Sequence, residues 1–110
     1  MKNYAKKWLT QRITAILLIP LSFWFIYHCI SFVSMSYTQL FLFFKSTVNS
    51  ILFLLMMIAM LIHARLGCET IIEDYVRSKN LKNISKLLIN LIVYLSMLIT
   101  IFAILRIVLI

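Results

Sequence analysis

With 110 residues, 64% of them hydrophobic and only 13% charged, the chain carries too little polar surface to dissolve as a globular domain, so bilayer is its expected solvent. The formal charge of +8 arises from eleven Lys and Arg against Glu69, Glu73 and Asp74. These basic residues flank apolar runs, which is the pattern of topology signals and lipid headgroup contacts and argues against a nucleic-acid partner.

Residues 1–12, Met-Lys-Asn-Tyr-Ala-Lys-Lys-Trp-Leu-Thr-Gln-Arg, read as a basic, aromatic lead-in, with Tyr4 and Trp8 suited to the headgroup region. No cleavable signal peptide is expected, because the first apolar run is too long and no small-residue cleavage site follows it. A helix crosses the hydrocarbon with about 20 apolar residues, and the first such span is predicted at residues 13–33. Pro20 inside it removes one backbone donor and is expected to bend the helix, as membrane helices tolerate when neighbours satisfy the freed carbonyl. Residues 34–46 form a first loop whose aromatic middle is expected to lie along the outer interface as a short helix. The second span is predicted at 47–67. A polar inner loop follows at 68–86, its first part able to continue the helix, and the third span is predicted at 87–109. The whole is read as one all-α membrane domain, 1–110, with three transmembrane helices and no internal repeat.

Basic residues near the span ends set the predicted orientation. Lys2, Lys6, Lys7 and Arg12 precede the first span, and Arg77, Lys79, Lys82 and Lys86 lie in the 68–86 loop. The first loop holds only Lys45 and the C-terminal end only Arg106. The N-terminus is therefore predicted inside, in the cytoplasm or matrix, and the C-terminus outside. Cys29 and Cys68 are too few and too far apart for a disulfide framework and are read as ordinary thiols near opposite faces. Heavy use of Ile, Leu, Phe, Lys and Asn points to A/T-rich codons, hence an organellar or reduced bacterial genome.

The ionisable groups inside or beside the spans are the candidate site. His63 lies a few residues before the inner end of the second span, a depth at which ionisable side chains are costly and commonly functional. Ala59, His63 and Gly67 follow at i, i+4 and i+8 on nearly one face. Small residues around an imidazole leave room for a flat macrocycle, whose iron takes a neutral imidazole nitrogen, or for a closely packed helix. The only other histidine, His28, should lie roughly 15 Å away in depth, too far to ligate the same iron, and is read as a core or interfacial residue. Asp74 falls about 16 Å beyond His63 along a continued helix. There Tyr75 could donate to a quinone carbonyl and Asp74 could hold an arginine or relay a proton; the plainer alternative is an interfacial tyrosine anchor beside a solvated acid. Arg12 either snorkels to phosphates or turns inward to a haem propionate or to Asp74. Arg65 is expected to snorkel from its span end, Asn90 and Tyr94 to serve helix contact, and Met56, Met57 and Met60 to pack, with a haem edge as the alternative.

Gln-Arg-Ile-Thr-Ala at 11–15 with Pro20, and His63-Ala-Arg-Leu-Gly67 followed by Asp74-Tyr75, resemble the smaller hydrophobic anchor subunit of succinate dehydrogenase, respiratory complex II, a cytochrome b556-type subunit. That resemblance implies haem b, with His63 as one axial ligand shared with a second hydrophobic anchor subunit. It implies ubiquinone contact at Tyr75, with Asp74 supporting the inner face and Arg12 near the propionates or the quinone. It also implies partnership with an iron–sulfur subunit and a flavoprotein subunit, through which electrons pass from succinate to ubiquinone. The membrane it implies is an inner one, mitochondrial or bacterial. On its own the chain would not be a catalyst. Two other classes stand beside this one. A non-redox structural or assembly subunit would leave His63 merely packed. A small channel would repeat polar residues along one face of several spans, whereas here they gather near the inner ends.

Overall fold

The computed structural model describes residues 2–110, with side chains from Tyr4 onward; Met1 and the side chain of Lys2, both counted above in the lead-in, lie outside the described residues. The chain is all α: α1 (Lys2–Phe32), α2 (Tyr37–Lys45), α3 (Thr47–Tyr75) and α4 (Lys79–Leu109). α1, α3 and α4 are each long and apolar enough to cross a membrane. In hydrocarbon every backbone donor and acceptor must be paired within the segment, which is why such sequences fold as unbroken helices. α1 runs through Pro20 without interruption.

Serines punctuate the helices. The Ser36 hydroxyl accepts from the Gln39 amide at 3.2 Å while the Gln39 side chain accepts from the Ser36 amide at 2.9 Å, a reciprocal cap that starts α2. Ser46, in extended conformation, ends α2 and begins α3. Ser78 caps α4 by accepting from the Leu81 amide at 3.3 Å.

α3 is the central helix. α1 packs along one side of it and α4 along the other, and α1 and α4 hardly touch; α2 lies against α3 and α4 at the far end. Both long pairs are antiparallel. Thr14 meets His63 and Lys7 meets Glu69 across α1 and α3, and Arg65 meets Tyr94 and Lys86 meets Glu73 across α3 and α4. The molecule is 50 Å long, as helices of 31 residues at about 1.5 Å per residue require. Few side chains are buried, Leu21, Met56, Ala59, Leu66, Ile72, Val93 and Ile104 among the apolar ones, while Ile16, Phe23 and Leu98 face outward. This suits a chain whose solvent is hydrocarbon.

The helices outrun the predicted spans at the basic end. α1 takes in the lead-in, α3 continues to Tyr75 and α4 begins at Lys79, so the 68–86 stretch is mostly helical and only residues 76–78 turn the chain. Hydrocarbon thickness limits an apolar run, not a helix: past the bilayer core the same backbone ladder carries polar side chains as readily. The short helix expected within 34–46 is α2, Tyr37–Lys45.

Candidate functional site

Met56, Ala59, His63, Leu66 and Thr70 succeed one another on α3 at intervals of three and four residues, forming one stripe. Met56, Ala59 and Leu66 are buried, and His63 is half-buried among them. On α1, Lys7, Gln11 and Thr14 form a matching polar stripe. Thr14 lies opposite His63, Gln11 opposite Gly67 and Lys7 opposite Glu69. A methyl group added at Gly67 would sit 3.7 Å from the Gln11 amide nitrogen, an ordinary contact. The small face of α3 is thus covered here by another helix.

The contact between His63 and Thr14 defines the imidazole. Thr14, only 5% exposed, places Oγ1 2.8 Å from the Thr10 carbonyl, 3.1 Å from the Gln11 carbonyl and 3.1 Å from His63 Nδ1. The hydroxyl has one proton and two lone pairs, and the two carbonyls can only accept. His63 Nδ1 is the one neighbour able to donate to it. Nε2 has no hydrogen-bond partner among the described residues.

Toward the basic end the same two helices part around a cleft of about 500 Å³. Tyr4, Lys7, Trp8, Gln11 and Arg12 line it from α1, and Leu66, Thr70, Glu73 and Asp74 from α3. The Arg12 guanidinium lies 5.1 Å from the centre of the Trp8 ring, a cation–π contact that steadies the side chain. Lys7 and Glu69 approach to 3.8 Å and Lys86 and Glu73 to 2.7 Å, while neither Arg12 nor Asp74 joins an ion pair among the described residues. Gln11 Oε1 is buried without a hydrogen-bond partner among them. A cation, a carboxylate and an unsatisfied carbonyl thus share one cleft with an indole. Such a set can take a carboxylate on Arg12 and a donor on Asp74 or Gln11.

The predicted site residues divide accordingly. Arg12 and Asp74 line the same cleft. Tyr75 does not line it and is 80% exposed, because consecutive helix residues point about 100° apart. Arg65 does not simply snorkel: its guanidinium donates to the Tyr94 hydroxyl at 3.0 Å and lies 5.8 Å from that ring. Tyr94 is therefore a helix contact, while Asn90 Oδ1 is buried without a partner among the described residues. His28 stands fourteen residues along α1 from Thr14, a rise of about 21 Å, and so lies well away from His63. It is ringed by Trp24, Tyr27 and Phe43 with centroids 5.1, 5.2 and 4.8 Å away. Cys29 is half-buried and Cys68 exposed, both free. Met56 packs inside, and Met60 is 42% exposed. Among the described residues no three His, Cys, Asp or Glu gather as a metal site, so His63 offers a single ligand.

Gln11 and Thr14 belong to the 11–15 motif, but the sequence assigns neither of them, nor Lys7 or Trp8, a contact in the site. The signal for Lys7, Gln11 and Thr14 is their four- and three-residue spacing as polar positions running into the first apolar span.

A model of the succinate dehydrogenase/fumarate reductase transmembrane subunit family matches residues 3–104. The chain is 35% identical to the succinate dehydrogenase hydrophobic membrane anchor subunit of Rickettsia bellii (strain RML369-C) over 82 residues, 74% of this chain and 66% of that protein. It thus spans just under two thirds of that relative's length. It is 31% identical to the protein of the same description from Rickettsia typhi (strain ATCC VR-144 / Wilmington) and 30% identical to that from Rickettsia prowazekii (strain Madrid E). Both alignments cover 82% of this chain and 72% of the relative. These relatives are bacterial. An all-α chain with three helices of membrane-spanning length, matched over nearly all of them, belongs to the succinate dehydrogenase/fumarate reductase transmembrane subunit family.

Proposed function

We propose that the chain is the small membrane anchor of a succinate:ubiquinone oxidoreductase, supplying one axial ligand to haem b and part of the ubiquinone site. A second hydrophobic anchor subunit provides the other axial ligand, and iron–sulfur and flavoprotein subunits deliver the electrons taken from succinate. The reading rests on one observation above all: an imidazole inside a helix of membrane-spanning length, its Nδ1 beside a buried hydroxyl and its Nε2 without a hydrogen-bond partner among the described residues. That is the arrangement a histidine needs to offer one nitrogen to iron while the other holds the ring still. The residues fit the group in their donor chemistry, since His63 Nε2 can offer a lone pair to iron and Arg12, which lines the adjoining cleft without an ion-pair partner among the described residues, can take a propionate. When bound, haem b exchanges one electron at a time, at a potential set by its axial ligands and burial.

Reduction of ubiquinone consumes two electrons and two protons. Tyr75 donates a hydrogen bond to a quinone carbonyl from the outward surface of α3, and Asp74, one residue earlier and turned into the cleft, passes protons in from the basic end. The basic residues at the α1 start and the α3–α4 turn support a cytoplasmic or matrix location for this end, where a soluble iron–sulfur partner and protons are both within reach. The host is a bacterium or a mitochondrion, and the compartment its inner membrane.

The test is a reduced-minus-oxidised visible spectrum of the complex purified in mild detergent, with its partner chains identified. A b-type band lost in His63→Ala supports the reading; a native complex without such a band overturns the haem assignment. A second reading, a structural subunit with His63 only packed, draws on the same Thr14 contact, because hydrogen bonding across helices is how a packed histidine is satisfied. The same spectrum separates the two.

A further inference from the structure

We infer that Thr14 is the positioning residue for His63: it fixes the proton on Nδ1 and so presents Nε2 as the ligand atom. Its meaning for haem rests on the function proposed above, but the tautomer follows from the hydrogen-bond inventory alone. Thr14 Oγ1 has three polar neighbours, the Thr10 carbonyl at 2.8 Å, the Gln11 carbonyl at 3.1 Å and His63 Nδ1 at 3.1 Å. If Nδ1 carried a lone pair, three acceptors would crowd one hydroxyl proton. If Nδ1 carries the proton, the hydroxyl donates to a backbone carbonyl and accepts from the ring, and every contact is favourable. Burial sharpens the choice, since Thr14 is 5% exposed and an unmatched pair in low dielectric is costly.

Bonding back to its own helix holds the threonine hydroxyl in place, so it is a fixed post and not a rotor. The ring is thereby held in both tautomer and orientation. A proton donated from Nδ1 also leaves Nε2 more electron-rich, which favours the ferric over the ferrous form of a bound iron. Lys7 and Arg12 on α1 and Arg65 and Glu69 on α3 are the charged residues within about two helical turns of Thr14 and His63, and none makes a hydrogen bond or ion pair to the ring: Lys7 pairs with Glu69 and Arg65 donates to Tyr94.

Two measurements on the same variants decide the matter. In the full chain in detergent micelles without haem, with ¹⁵N-labelled histidine and a His28→Phe background to leave one imidazole, native His63 should show a protonated Nδ1 and a bare Nε2. Thr14→Val should move the proton population toward Nε2, and Thr14→Ser should restore the native pattern. A native ring already protonated at Nε2, or a Thr14→Val spectrum identical to native, overturns the inference whatever becomes of the haem. In the assembled complex, Thr14→Val should weaken haem retention by about 10-fold or more and move the haem midpoint to a more positive potential, with Thr14→Ser close to native. A band that depends on His63 but keeps native retention and midpoint in Thr14→Val overturns Thr14's role at the haem and leaves the haem reading standing. A native complex with no band that depends on His63 defeats the haem reading instead, and the micelle spectra then judge the tautomer by themselves.

Discussion

His63 and His28 are chemically identical side chains near opposite ends of one bundle, and their surroundings differ in kind. His63 lies where α1 and α3 face each other with polar groups: Thr14 holds its Nδ1, and toward the basic end the helices open into a cleft holding Arg12, Asp74 and Gln11. His28 lies where the same α1 meets α2 with rings, edge-on to Trp24 and Tyr27 and 4.8 Å from Phe43. Phe32, Phe44 and Phe53 extend that cluster. Aromatic quadrupoles make a stable but chemically silent setting for an imidazole, whereas a hydroxyl that fixes a tautomer makes a directed one. The comparison teaches that depth in the membrane alone does not distinguish the two histidines; what touches each ring does.

The comparison can be broken outright by exchanging losses at the two ends. His63→Ala should abolish the b-type band of the complex, while His28→Ala should leave it at native intensity; a band lost in both, or in His28→Ala alone, would reverse the assignment. Next in size, Tyr75→Phe should lower succinate–quinone reductase turnover several-fold with the band intact, and an unchanged rate across quinone concentrations would remove Tyr75 from the site. Phe43→Ala should destabilise the aromatic end by about 2 kcal/mol through lost packing and ring pairs. Thermal unfolding in detergent would read that loss, and the haem spectrum should not move. Gly67→Ala should have the smallest effect, within about 1 kcal/mol of native and in the stabilising direction, because the new methyl meets Gln11 at ordinary distance and alanine favours helix. Loss of haem in that variant would mean that the macrocycle or a partner helix approaches Gly67 more closely than α1 does.

Much of the architecture is legible in residue order because lipid leaves few choices. An apolar run of membrane length becomes a helix, and the aromatic middle of the 34–46 loop forms another, whose Ser36–Gln39 cap the structure supplies. The position of Asp74 about three turns beyond His63 on one helix and the separation of His28 from His63 could likewise be counted along an axis. Helix ends were less legible. Apolarity stops at the edge of the bilayer, yet α3 runs to Tyr75 and α4 starts at Lys79, since nothing in the polar continuation breaks the backbone ladder.

Composition and spacing by themselves determined that this protein is a set of membrane-length helices with its charge gathered at one end and one imidazole near that end. Only the tertiary structure decided that α1 covers the small face of α3, that Thr14 is the group holding His63, that Arg12 and Asp74 share a cleft which Tyr75 leaves, and that Arg65 reaches Tyr94. The physical reason is one of range. Helix formation and membrane insertion depend on neighbours a few residues apart, whereas a hydrogen bond between Thr14 and His63 depends on the register in which two helices dock, and that register is set by packing along their whole length.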